Sequence, residues 1–142
     1  MLFACTVKKE VKVGESDSQP IIGTWKLLTG TIIENGDTIV TDYTSDKSFI
    51  KIINATHFSF VLHDLNQGKD SLALFASGAG RYELSGNQYT EFLEYCTDRS
   101  WEGHDFTFTV SIQHDTLVQR GVEIIEAEGI NRMNTETYVR LK

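Results

Sequence analysis

From Ile21 to the C-terminus, hydrophobic and polar residues alternate with a period of two, the spacing of strands that bury one face. Trp25, Leu27, Thr29 and Thr31 share one face of a first long strand, and Asn35-Gly36 then supplies a strong hairpin turn. Residues 38–43 return, and residues 47–53 form a third strand. A short turn at residues 54–56 leads to Phe58, Phe60 and Leu62 on one face. Asn66-Gln67-Gly68 makes the next turn, followed by a strand over residues 71–77. Gly78-Ala79-Gly80 stands between two runs and predicts a bulge or a sharp corner. Residues 81–84 and 88–96 flank a turn at Ser85-Gly86-Asn87. Phe106, Phe108, Val110 and Ile112 alternate cleanly with Thr107, Thr109 and Ser111, and His114-Asp115 turns the chain into residues 116–122. Residues 123–134 break the pattern and fit either a helical turn or a long loop. Residues 135–141 close the chain.

Short strands with turns every ~8–12 residues are the pattern of a sandwich or barrel, and tight consecutive turns favour up-and-down antiparallel neighbours. Closure would remove the exposed edges of such a meander. The expected fold is therefore all-β, an up-and-down antiparallel barrel of about 8–10 strands over residues 21–142. The single proline, Pro20, marks a composition break: residues 6–19 are polar, charged and without periodicity, as in a flexible tether.

Composition narrows the partners. With a net charge of -7 and one basic pair, Lys8-Lys9, the chain lacks the clustered cations that nucleic acid or an anionic membrane surface requires. Aromatic residues reach 11%, enough to furnish a β-rich core. Leu2-Phe3-Ala4-Cys5 resembles a bacterial lipobox, in which the cysteine becomes the lipidated N-terminus. Residues 1–20 then read as a lipobox remnant and tether, although the basic n-region and most of the apolar h-region of a signal are missing from the sequence. This reading places the protein in the bacterial cell envelope, meeting the membrane only through Cys5. Cys96 lies in a strand and reads as a reduced, buried thiol.

Gly23-Thr24-Trp25-Lys26 resembles the Gly-x-Trp opening of the calycin superfamily, the lipocalins and fatty-acid-binding proteins. The final strand, Glu136-Thr137-Tyr138-Val139-Arg140, is similar to that superfamily's ending, where a basic residue packs over the tryptophan. The runs Gly80-Arg81-Tyr82-Glu83-Leu84, Gly86-Asn87-Gln88-Tyr89-Thr90-Glu91 and Glu94-Tyr95, with Phe106-Thr107-Phe108 and Asp115-Thr116-Leu117, look like small lipocalin-like proteins of Bacteroides-type bacteria, many of which look like lipoproteins. The resemblance spans nearly all of residues 21–142. It departs from true lipocalins in lacking a clear helix after the barrel and inner disulfides. It implies a lipocalin-like barrel whose first and last strands meet.

A barrel end must be plugged against water, and Trp25 is the largest apolar plug. Arg140 over its face would form a clasp worth about 0.5–2 kcal/mol. Arg132 is the alternative partner, and a plain core Trp25 with a solvated Arg140 is the other reading. The leading function is binding of a small apolar or amphipathic ligand inside the barrel, lined by Phe58, Phe60, Tyr82, Tyr89, Glu91, Phe106 and Phe108. Glu91 and Glu94 are three apart, so they face opposite sides, and alternation alone leaves open which one points inward. The inward carboxylate would meet a ligand's polar group or pair with Arg81. The second reading is a surface-anchored module for protein or glycan, with a filled barrel and Trp101 as a contact residue. The third is a hydrolase or isomerase, which needs a histidine and a carboxylate together in a cleft. No nucleophile elbow, phosphate loop, zinc motif or EF-hand occurs, so no catalytic residue, metal or cofactor is assigned and a non-enzyme is expected. His57 and His63 share a strand face but lie about 20 Å apart, too far for one metal, and are expected in solvent with His104 and His114 unassigned.

Overall fold

Alternation becomes strand where a bulky side chain can leave water on one face only. The computed structural model describes residues 21–142 and places nine strands there. They are β1 (Gly23–Glu34), β2 (Asp37–Asp42), β3 (Lys47–Ile53), β4 (His57–Asp64), β5 (Phe75–Ser85), β6 (Gln88–Cys96), β7 (His104–Gln113), β8 (Thr116–Ile125) and β9 (Ile130–Leu141). All pairings are antiparallel, and β1 pairs with β9 to close an eight-stranded barrel, to which β2 is added. Cys5, Pro20 and the rest of residues 1–20 lie outside the described residues.

The wall is not strictly consecutive. The first half of β1 pairs with β3, from Gly23↔Ile53 to Lys26↔Ile50, while its second half pairs with β2. The Asn35-Gly36 hairpin allows this: φ is 52° at Asn35 and 80° at Gly36, the left-handed pair that matches strand twist. A register shift between Leu27 and Thr29 makes Leu28 an extra residue. Trp25 and Leu27 therefore point inward, but Gly30 and Ile32 replace Thr29 and Thr31 on the inner face.

Two further expectations are corrected, and one left open is decided. Residues 65–74 form a loop rather than a strand, because Asp64 accepts backbone N–H bonds from Asn66, Gly68 and Leu74 at 2.9–3.0 Å and holds the segment away from the ladder. Gly78-Ala79-Gly80 does not separate two strands but lies within β5; the bulge it signals sits opposite, at Glu94 of β6, where Gly80 pairs with Leu93 and Ala79 with Tyr95. Of the two readings of residues 123–134, the helical turn is the one present, and strand occupies most of the rest. β8 runs to Ile125, one 3₁₀ turn occupies Glu126–Glu128, Gly129 turns the chain at φ 65°, and β9 begins at Ile130.

One end of the barrel is packed solid. Ile21, Trp25, Ile53, Phe58, Tyr89 and Leu117 are 0–2% exposed, each burial worth about 1.5–3 kcal/mol. Trp25 Nε1 donates to the Ile21 carbonyl at 2.8 Å, so the indole is satisfied as it is buried. The Arg140 guanidinium lies 4.2 Å from the Trp25 ring centroid and donates to the Ile22 carbonyl at 2.9 Å. The ring is thus covered by Arg140, not by Arg132.

Candidate functional site

The other end of the barrel is open. A cavity of about 460 Å³ enters there, within the size range of small-molecule sites. Its depth can be read strand by strand. On β3 the lining reaches Phe49 and Lys51 but not Ile53; on β6, Leu93 and Glu91 but not Tyr89; on β7, Phe106 and Phe108 but not Val110. On β8 it reaches Glu123 and Gln119 but not Leu117, and on β9 it ends at Tyr138. The floor is therefore the level of Lys51, Glu91, Phe108, Gln119 and Tyr138.

Of the residues expected to line a ligand, Phe60, Glu91, Phe106 and Phe108 lie on this cavity. Phe58, Tyr82 and Tyr89 do not. Phe58 and Tyr89 face inward, but one layer too deep, in the filled end. Tyr82 packs on Tyr89 with ring centroids 5.3 Å apart and donates its hydroxyl to the Asn54 carbonyl at 2.6 Å. Phase along a strand determines the face, whereas depth depends on where each strand crosses the barrel axis.

The inward carboxylate is Glu91. Glu94, the bulged residue, lies outside and pairs with Arg81 at 2.7 Å. Glu91 does not pair with Arg81; its partner is Lys51, from the far wall. Lys51 is 2% exposed and also donates to Gln119 Oε1 at 3.0 Å. Its ammonium lies 5.5–5.6 Å from the ring centroids of Phe58, Tyr89 and Tyr138. A cation buried this deeply costs several kcal/mol unless paired, and the carboxylate, the amide and three ring faces together offset that cost. The Tyr89 hydroxyl beside this cluster is buried without a hydrogen-bond partner among the described residues. Burial first, and then the Glu91 charge, hold that phenol protonated far above its ordinary range.

A second polar cluster occupies the wall nearer the mouth. Arg132 Nε donates to Glu123 Oε2 at 2.7 Å, and Asn134 Nδ2 donates to Glu123 Oε1 at 2.8 Å and to Glu136 Oε1 at 3.1 Å. The Tyr138 hydroxyl donates to Glu136 Oε2. Burial raises the Glu123 carboxyl above its ordinary value, against the pull of Arg132 and Asn134. Tyr43, packed over Gly30, the register partner of Glu136, is raised by burial and then by the Glu136 charge. The remaining wall is apolar: Phe49 stacks on Phe60 at 5.3 Å, and Trp101 packs on Phe106 at 5.6 Å. The Arg132 guanidinium covers the other ring of that pair, 5.0 Å from Trp101. Trp101 is thus half-buried in the mouth rather than displayed, and Cys96 is a half-buried thiol in the same wall.

Sequence reasoning missed Lys51, Gln119, Glu123, Arg132, Asn134 and Glu136. The signal for Lys51 was its place between Phe49 and Ile53, an inward phase occupied by a charge. Gln119 likewise follows Leu117. None of the four histidines lines the cavity: His57, His63 and His114 are exposed, and His104 sits at the start of β7. The His-plus-carboxylate cleft that an enzyme reading requires is not built by these residues. The open cavity also departs from the filled interior of an interaction module.

No family model matches the chain, and no curated protein does. Two solved structures are similar to it in shape. One is an uncharacterised protein from Bacteroides eggerthii, with 11% identity and a TM-score of 0.50 over 84% of this chain and 98% of the other. The second is a mutant of the fluorescent protein UnaG, with 11% identity and a TM-score of 0.43 over 86% of this chain and 96% of the other. At this identity the likeness concerns fold alone, and the fold is a closed antiparallel β-barrel.

Proposed function

We propose that this protein binds a small amphipathic molecule in the open half of its barrel and does so outside the cytoplasm, tethered by a lipid on Cys5. The cavity carries the first part: about 460 Å³, walled by aromatic rings, floored by a hydrogen-bonded charged cluster and closed at the far end by Trp25. Apolar walls supply affinity, and a few fixed polar groups supply orientation. The lipobox-like Leu2-Phe3-Ala4-Cys5 and the polar stretch behind it support the second part.

Native mass spectrometry of protein purified from its own host tests the binding. A reproducible bound mass is expected, and it should disappear in Ile32→Trp, which places an indole in the mouth. Protein that carries no bound mass and takes up no neutral apolar dye would overturn the reading. For the anchor, Cys5→Ala should move the protein from the membrane to the soluble fraction; unchanged fractionation would refute it.

A further inference from the structure

We infer that the ligand carries a protonated amine and that Glu136 is its counter-ion. This inference rests on the binding reading above and deepens it. The observation is the charge balance of the cavity wall. Two cations line it, Lys51 and Arg132, against three carboxylates, Glu91, Glu123 and Glu136, with Asp98 at the rim.

Four of these charges are already matched in two pairs inside the protein. Lys51 is paired with Glu91, and Arg132 with Glu123. Glu136 has no such partner. Its contacts are the Asn134 amide at 3.1 Å and the Tyr138 hydroxyl, and no ion pair to it forms among the described residues. A carboxylate accepts about four hydrogen bonds, so two of its acceptor sites remain for a ligand. An ammonium there would make charge-assisted bonds and complete the balance that the protein leaves open. A ligand carboxylate would instead add a fourth negative charge to a poorly solvated wall.

The rings give an independent reason. Tyr43, Phe49, Phe60, Trp101 and Phe106 surround the same space. Their faces attract cations and stack on flat apolar bodies. The ligand class is therefore an aromatic or otherwise flat apolar body bearing a protonated amine. A free carboxylic acid, as in a fatty acid, is disfavoured.

Three probes with one body separate the possibilities: naphthylethylamine, naphthylethanol and naphthylacetate, titrated at neutral pH by calorimetry or by Trp101 fluorescence. The amine should bind about tenfold more tightly than the alcohol, and the acetate more weakly than both. Glu136→Gln should reduce the amine's advantage over the alcohol to about threefold or less and leave the alcohol's affinity within about twofold. Glu128→Gln, outside the cavity, should change neither. Acetate binding as tight as that of the amine overturns the inference, as does an amine preference that survives Glu136→Gln. Equal binding of all three sinks the amine inference and leaves the cavity reading standing. If none binds and a larger neutral dye such as Nile red also fails, the cavity reading falls and the inference with it.

Discussion

Lys51 shows how one side chain can be both a cost and an organiser. Its ammonium is almost fully buried, and Glu91, Gln119 and three aromatic rings hold it. Removing one member of such a pair leaves the other charge buried alone. Lys51→Met should therefore lower the free energy of unfolding by about 3–5 kcal/mol. The double variant Lys51→Met with Glu91→Leu should recover most of that loss, because no buried charge remains. Urea denaturation of the two single variants and the double measures the cycle; additive losses would contradict the pairing. Glu123 answers to pH instead. Burial raises its folded pKa above the unfolded value, so its contribution to stability is fully present below the unfolded carboxyl range, about 4.3, and is lost as pH rises through the higher folded value. Against Glu123→Gln, which cannot titrate, the wild type should lose relative stability over the window from the unfolded carboxyl range up to the raised folded value. Paired melts across that window test this, and a flat difference would refute it.

At the scale of elements, two bulges decide which side chains face inward. Leu28 on β1 and Glu94 on β6 each add one residue to their strand. Beyond each bulge the phase reverses, bringing Gly30 and Ile32 on one strand and Cys96 on the other to the cavity wall. Gly80 is what admits the second bulge. A Cβ there would collide with the Phe92 carbonyl, which is backbone and has little room to yield. Gly80→Ala should cost about 1–3 kcal/mol or more, since the β5–β6 ladder must shift to accept it. Chemical denaturation, with amide exchange along residues 91–96, measures both the loss and its location. An unchanged midpoint would show that the close approach is not required.

At the scale of the molecule, the barrel is half plug and half vessel. The ends of β1 and β9 meet at Trp25↔Arg140, and the same residues stack. This contact joins the two strands most distant in sequence within the described chain and seals the filled end of the barrel. Arg140→Ala should lower stability by about 1–2 kcal/mol, from the cation–π contact and the bond to the Ile22 carbonyl together. Arg140→Lys should recover only part, because an ammonium lacks the planar fork that covers the ring and reaches the carbonyl at once. Equilibrium unfolding compares the three proteins; equal stability of all three would show that Trp25 is held by its core contacts alone.

What the sequence determines by itself is local. Alternation of period two marks where most strands run, and Asn35-Gly36, Gly86 and His114-Asp115 mark where they turn, because strand phase and left-handed turn geometry are properties of a few neighbouring residues. The Gly-x-Trp opening and the final basic residue likewise indicate which strands meet. Depth, bulge position and pairing across the barrel are not local. Phe58 and Phe60 look alike in the chain, yet one is plug and the other wall. Lys51 and Glu91 are forty residues apart, and Lys51 and Gln119 sixty-eight. Only closure brings them within reach of one another. The floor of the cavity and its unmatched carboxylate therefore belong to the tertiary structure, which alone decides which charges share one small space apart from water.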